Sequence, residues 1–387
     1  MNAPTPVGGG VGVAAAWHRR AHAGLETAAT IVPGLALAGA LGIAATVIAN
    51  WLGVDLLGYA KSPISAIPLT ILLGLVVRNT IGVPSVYDPG LQLCVKRLLR
   101  VGVALLGIRL SLVEAGATGL VALPVAIVCI AVALLVVGGL TRLLRLPQKL
   151  GTLVAVGTSI CGITAIVAMA PVIEANDDET SYAVATIALF GMVALFTYPL
   201  LAHLIFDDPR HAGLFLGTAI HDTSQVAGAG LTYQQQFGAP EALDTAVVTK
   251  LVRNLSMIGV IPLMRVLHQR RSGAAVQRGS GASRFGNLVP LFILGFLAMT
   301  VVRTVGDIGD RPFGFMEPAS WDRTIVVLQQ VAEVALLLAM AAVGLGTSLG
   351  RLRVLGLRPL GVGLAAALCV GSVSILLIRV FGDLGII

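Results

Sequence analysis

Residues 157–168 read GTSICGITAIVA, and residues 217–228 read GTAIHDTSQVAG. Each phrase lies near the middle of a long apolar stretch, and each is rich in Gly, Thr and Ser. Lipid offers no hydrogen-bond partners to a freed backbone group, so an interrupted helix at that depth survives only where it is buried in protein or lines a cavity. Paired interruptions in related positions are the sequence mark of a transporter whose site lies at membrane mid-depth. The repeated phrase therefore constrains both the fold class and the place to look for chemistry.

Composition agrees. The chain is 56% hydrophobic and only 12% charged, with mean hydropathy +0.92, against roughly 25% charged residues in soluble domains. The formal net charge of +7 suggests nucleic acid at first sight. The basic residues, however, sit in short loops between apolar runs, as the positive-inside rule requires, and a nucleic-acid partner is set aside. Cys94, Cys129, Cys161 and Cys369 have no paired spacing, so neither a disulfide framework nor a metal site is expected. No phosphate-binding loop is present, and no cofactor is expected.

An all-α polytopic membrane protein follows, with about eleven segments near 30–51, 64–81, 97–113, 117–141, 150–174, 181–205, 212–231, 243–267, 286–304, 324–348 and 358–381. Each is near the roughly 20 residues that cross a bilayer. Residues 1–29 form a cytoplasmic tail, 30–268 the first eight segments, 269–285 a basic cytoplasmic linker and 286–387 the last three. With the N-terminus inside, the inner loops take Arg19, Arg20, Arg78, Lys96, Arg97, Arg100, Arg142, Arg145, Lys149, Arg210, Arg265, Arg270, Arg271, Arg278, Arg284, Arg351, Arg353 and Arg358. The acidic run Glu174, Asp177, Asp178 and Glu179 then falls outside, as does the C-terminus. The expected location is a bacterial-type plasma (inner) membrane.

Three internal matches stand out. Residues 67–83 resemble 289–306, and 104–119 resemble 341–356. In an eleven-crossing topology the members of both pairs run in opposite directions, the pattern of inverted repeats. The third match extends the opening phrases into AVATIALFGMVALFTYP (183–199) and AVVTKLVRNLSMIGVIP (246–262). Only two crossings separate its members, so they run the same way unless one phrase is re-entrant. That alternative stays open at this point.

The second copy carries the ionisable groups. His221, Asp222, Thr223, Ser224 and Gln225 stand where the first has Cys161, Gly162, Ile163, Thr164 and Ala165, and Lys250, Arg253 and Asn254 follow. Lys250 and Arg253 share a helix face. A cation at mid-membrane costs about 2.5–3.5 kcal/mol on insertion scales, so the pair needs a partner, a cavity or a substrate. Two readings follow: a structural ion pair of Arg253 with Asp222, or an anion site. In the second, Lys250, Arg253 and Asn254 bind the anion with Thr158, Ser159, Thr164, Thr223, Ser224 and Gln225. Helix breaks at Gly157-Thr158-Ser159 and Gly217-Thr218-Ala219 would add free N–H groups. His221 and Asp222 are the expected proton-coupling pair, with Glu333 next. Arg109, near the outer end of its helix, reads as a snorkelling side chain. An intramembrane hydrolase using Ser224 is disfavoured, because adjacent residues on a helix do not face each other; an enzyme is not expected.

The phrases GTSICGITAIVAMAPVI, GTAIHDTSQVAGAG and VVTKLVRN, with LLGIRLSL and its echo VGLGTSL, resemble the YeiH-type sulfate exporter family from about residue 30 onward. That family is grouped with the bile acid:sodium symporter and auxin carrier superfamily. The resemblance implies a core domain of broken helices moving against a panel domain, and export of sulfate or a related sulfur oxyanion. The expected function is thus secondary transport of a small anion by alternating access. The alternatives are a sodium-coupled organic-anion importer and a passive anion channel. Expected partners are the anion, the bilayer and a coupling proton or sodium ion; a homodimer is compatible with the sequence.

Overall fold

The computed structural model describes residues 10–58, 62, 64–272, 290–348, 350 and 357–385, with side chains for all of these except 10–28, 269–272 and 357–359. Regular structure among the described residues is entirely helical. The helices are α1 Gly10–Asn50, α2 Ala66–Thr80, α3 Asp88–Leu93, α4 Leu99–Leu105, α5 Leu112–Leu143, α6 Gln148–Ser159, α7 Ile163–Met169 and α8 Asp177–Ile205. They continue as α9 Pro209–Ala219, α10 Thr223–Phe237, α11 Pro240–Leu255, α12 Met257–Ser272, α13 Leu291–Gly306, α14 Pro318–Gly346 and α15 Leu357–Asp383. A π-helical turn links α3 to α4, and a 3-10 turn, Leu106–Arg109, ends α4. The expected tail is helical from Gly10, and most of the expected linker, from residue 273, lies outside the described residues.

Local chemistry sets the boundaries. Ser111 with Glu114, Asn176 with Glu179 and Asp222 with Gln225 form capping boxes at the starts of α5, α8 and α10, each satisfying otherwise orphaned N–H groups. Pro209, Pro240 and Pro318 open α9, α11 and α14, where a missing N–H costs nothing. Gly238 closes α10 in the left-handed conformation, at φ 70°.

Six helical stretches among the described residues are long and apolar enough to cross a membrane: Ala29–Leu56, Leu112–Leu143, Asp177–Ile205, Pro240–His268, Pro318–Gly346 and Leu360–Asp383. These match six of the eleven expected segments. Two others, 64–81 and 286–304, are the shorter apolar helices α2 and α13, and 97–113 is the jointed α3–α4 run.

The remaining two do not cross the bundle; they turn back. Lys149 Nζ, at the foot of α6, donates to the Glu174 carbonyl at 2.6 Å. Both ends of the α6–α7 hairpin therefore lie at one end of the bundle, beside the close of α5, where Gly151 abuts Thr141. The α9–α10 hairpin is built the same way at the opposite end. α9 climbs beside α11, with Gly213 against Ala242 and Thr245 and Gly217 against Thr249. α10 then descends, bringing Gly230 back to Leu243. His203, at the end of α8, stacks on Phe237, at the end of α10, with centroids 3.7 Å apart. The hairpins enter from opposite ends, and their tips meet where Gly162 abuts Asp222.

The parity difficulty thereby disappears. α8 and α11–α12 traverse the bundle in opposite senses, each after its own hairpin, so the third repeat is inverted like the other two. Its order is permuted: the first copy runs α2, α3–α4, α5, hairpin, α8, whereas the second has its hairpin and α11–α12 before α13, α14 and α15. α15 lies parallel to α8, with Gly363 against Thr186, Gly371 against Tyr198 and Gly382 against His211. The acidic run at 174–179 therefore lies at the end that holds Arg142, Arg145 and Lys149, and Arg210 lies at the other. Both placements reverse the sequence expectation, because two of the expected crossings fold back as hairpins.

Packing separates two groups. α5 to α12 and α15 pack around the hairpins, and α1 to α4 with α13 and α14 pack beside them. α10 bridges the groups by resting on α2 and α14.

Candidate functional site

A half-helix that stops inside a bundle leaves up to four carbonyls without partners and a partial negative charge at its end. Two such ends meet here, those of α6 and α9. α11 supplies the answer to both. Lys250 Nζ donates to the carbonyls of Ile160 at 3.0 Å, Ile220 at 2.9 Å and His221 at 2.5 Å. Arg253 Nε donates to Ser159 O at 2.8 Å, Nη1 to Thr218 O at 2.5 Å and Ile220 O at 3.3 Å, and Nη2 to Thr158 O. Both side chains are 0% exposed. An ammonium has three donors and a guanidinium five, so Lys250 is saturated and Arg253 nearly so.

The opposite polarity appears at the starts of α7 and α10. Asp222 Oδ1 accepts from Ser224 N at 2.9 Å and Ser224 Oγ at 2.5 Å, capping α10. The same carboxylate lies against Gly162, which leads into α7. Gly162 has φ 69° and ψ −122°, a conformation in effect reserved for glycine. Cations thus sit on the two negative helix ends and a carboxylate at the two positive ones. Two basic side chains and one carboxylate thus share the crossing.

The breaks fall at Ile160–Gly162 and Ile220–Asp222, three residues beyond the glycines expected to make them. Gly157 and Gly217 are helical and serve close packing, against Ile166 and Ile187 in one case and Thr249 in the other. The ion pair considered between Arg253 and Asp222 does not form; among the described residues each is engaged with backbone or Ser224 instead.

The other expected site residues divide clearly. Thr158, Ser159 and Thr164 belong to the first hairpin, and Thr223, Ser224 and Gln225 to the second. Ser159 Oγ back-bonds to Ala155 O. Gln225 Nε2 reaches Ala188 O at 3.3 Å and its Oε1 accepts from Asp222 N at 3.3 Å. Asn254 Nδ2 donates to Thr223 Oγ1 at 3.1 Å. Thr158 Oγ1, His221 Nδ1, Thr249 Oγ1 and Asn254 Oδ1 are buried without a hydrogen-bond partner. Thr164 is exposed and Asp222 and Thr223 are half-buried, so these three form the accessible rim of the crossing. His221 is buried and presents its carbonyl, not its ring, to Lys250.

Glu333 lies away from the crossing, accepting from Gln234 Nε2 at 3.1 Å. Arg109 does not snorkel; its Nε meets Asp244 Oδ1 at 2.5 Å. Sequence reasoning passed over Asp244, Gln234, Gln235 and Ser374. Ser374 Oγ lies 2.6 Å from Thr218 Oγ1. The polar residues Asp244 and Ser374, each inside an expected segment, were the available signal.

Comparison with known proteins identifies the family. Residues 33–363 match the family described as Conserved hypothetical protein 698. A UPF0324 membrane protein of Bacillus anthracis is 35% identical over 315 residues, covering 81% of this chain and 86% of the relative. A UPF0324 membrane protein of Fusobacterium nucleatum is 29% identical over 317 residues, covering 81% and 90%, and one of Agrobacterium fabrum is 32% identical over 324 residues, covering 84% and 85%. No solved structure matches the chain. The chain is a membrane protein belonging to the Conserved hypothetical protein 698 family, whose matched relatives are described as UPF0324 membrane proteins.

Proposed function

We propose that the protein is a secondary transporter of a small anion, with nine membrane crossings and two re-entrant hairpins. The observation that carries this reading is the meeting of the hairpin tips around Lys250 and Arg253. Irregular backbone at mid-depth is tolerated where it serves a site, and a buried pair of cations is too costly to be incidental. The basic loop at 142–149, together with Arg78 and Arg265, supports a cytoplasmic position for its end of the bundle. The N-terminus is then inside and the C-terminus outside.

The saturated donors of Lys250 and Arg253 refine their role. They hold the hairpin tips and set the local potential, while the anion is contacted by the Thr164 and Thr223 hydroxyls on the rim, with the buried Asn254 amide holding Thr223 from behind. Asp222 at that rim repels an anion unless it is protonated. Binding of anion and proton together is therefore favoured, and Asp222 becomes the coupling group, with His221 behind it. The resemblance to sulfate exporters makes sulfate and other sulfur oxyanions the first candidates. Alternating access is supported by the two packing groups, one carrying both hairpins.

The test is flux into proteoliposomes with labelled sulfate, sulfite and taurine under imposed pH and sodium gradients. The reading expects saturable, counterflow-capable flux driven by the proton gradient, and loss of that drive in Asp222→Asn. Flux that follows sodium alone would favour a sodium-coupled carrier. Flux without counterflow would favour a channel.

A further inference from the structure

The inverted repeats are equivalent in topology but not in environment. By the repeat alignment, Thr164 and Val167 on α7 correspond to Ser224 and Ala227 on α10. Thr164 and Val167 are exposed, whereas Ser224 and Ala227 are buried. α10 is covered by α2 and α14, while α7 packs on α6 and α8. The crossing is therefore sealed on the α10 side and open on the α7 side.

Polar bridges between the two packing groups gather at the sealed end. Arg109, on the turn after α4, binds Asp244 on α11 at 2.5 Å, and its Nη1 lies 3.9 Å from Glu333 Oε1 on α14. Gln234 Nε2 on α10 donates to that same Glu333 oxygen at 3.1 Å. The next residue, Gln235, accepts from Ser65 Oγ, just before α2, at 2.7 Å. Arg109 is 7% exposed and Asp244 16%, so this contact is shielded from water and far less screened than a surface pair. One guanidinium from the group beside the hairpins thus faces a carboxylate from each group. Rotation of the hairpin-bearing group would draw Asp244 away from it and leave Glu333 within reach.

We propose that Arg109, Asp244 and Glu333, with the Ser65–Gln235 bond, form the latch that closes the outer end of the protein, and that the structure is the inward-open state. This rests on the transport reading above and assigns its outer gate. Arg109 can exchange Asp244 for Glu333 without ever being a buried unpaired cation, which would be costly. The barrier to opening is kept low for that reason.

Sidedness of thiol labelling tests the latch without any substrate, so its failure is separate from failure of the transport assignment. Thr164→Cys is labelled with a membrane-impermeant reagent in right-side-out and inside-out vesicles, against the parent protein as a blank for part-exposed Cys369. The latch predicts labelling from the cytoplasmic face. Added Asp244→Asn should raise labelling from the outer face at least about tenfold, and the exchange Arg109→Asp with Asp244→Arg should bring it back down. Where Asp244→Asn fails to accumulate, Ser65→Cys with Gln235→Cys serves instead. A short bis-methanethiosulfonate crosslinker, which joins the two thiols by disulfides with loss of sulfinate and spans the length of the lost Gln235 side chain, should link the pair in the resting protein and abolish outer labelling until it is reduced. Outer labelling that is high in the parent background, or unmoved by Asp244→Asn in a protein still labelled from inside, overturns the latch, as does a Ser65–Gln235 pair that will not crosslink.

Discussion

At the scale of single residues, the charged groups of the crossing act first on backbone. Lys250 holds three carbonyls from two hairpins, so Lys250→Met leaves buried acceptors unpaired. The expected loss is about 3 kcal/mol or more of stability, seen as a lower melting temperature of detergent-purified protein with no anion present. Arg253→Ala should behave likewise. Adding Asp222→Ala should not restore it, because no ion pair joins the two. A double variant as stable as the parent would reinstate that pair. Gly162→Ala puts a side chain into a left-handed conformation and against Asp222; the expected cost is about 1–3 kcal/mol, measured the same way. The sequence announced these charged residues by their depth, but it could not announce their partners. Carbonyl acceptors carry no side-chain signature, so a cation that caps helix ends looks identical to one awaiting an anion.

At the scale of elements, the two interruptions were legible and their geometry was not. Gly, Ser and Thr at mid-depth mark a break, yet the same letters suit a kinked crossing and a re-entrant hairpin. What decides between them is packing: α6 and α7 fit beside α5 and α8, and α9 and α10 fit beside α11. Gly157 and Gly217 looked like break points because glycine weakens a helix, whereas close helix contacts require it there. The loop between α13 and α14 offers an independent check on local stability. Burial pushes the Asp307 carboxyl up. Hydrogen bonds from Trp321 Nε1 at 2.9 Å and Arg303 Nε at 2.5 Å, with the guanidinium charge, outweigh that and hold it below the ordinary carboxylate value. A depressed value in the folded state stabilises it above the unfolded-state value, near 4, and that contribution fades as pH falls through the folded one. Asp307→Asn should therefore melt below the parent at pH 7, with the gap closing in strong acid. A gap independent of pH would assign the loss to packing.

At the scale of the whole molecule, the all-helical class followed from hydropathy, and inverted repeats were expected from two short matches, the direction of the third being left open. Counting apolar runs yielded eleven expected crossings because a hairpin of two half-helices is nearly as long as a true span. The hairpins change the end of the bundle at which 174–179 and the loop holding Arg210 lie. Two hairpins entering from opposite faces and meeting at Lys250 and Arg253 is the central claim, and sidedness tests it most directly. Asp177→Cys and Asp207→Cys, each in intact cells with a membrane-impermeant thiol reagent, stand at the two ends of α8. The hairpin architecture predicts that position 207 labels and position 177 is protected. Labelling at 177 with protection at 207 would contradict the account.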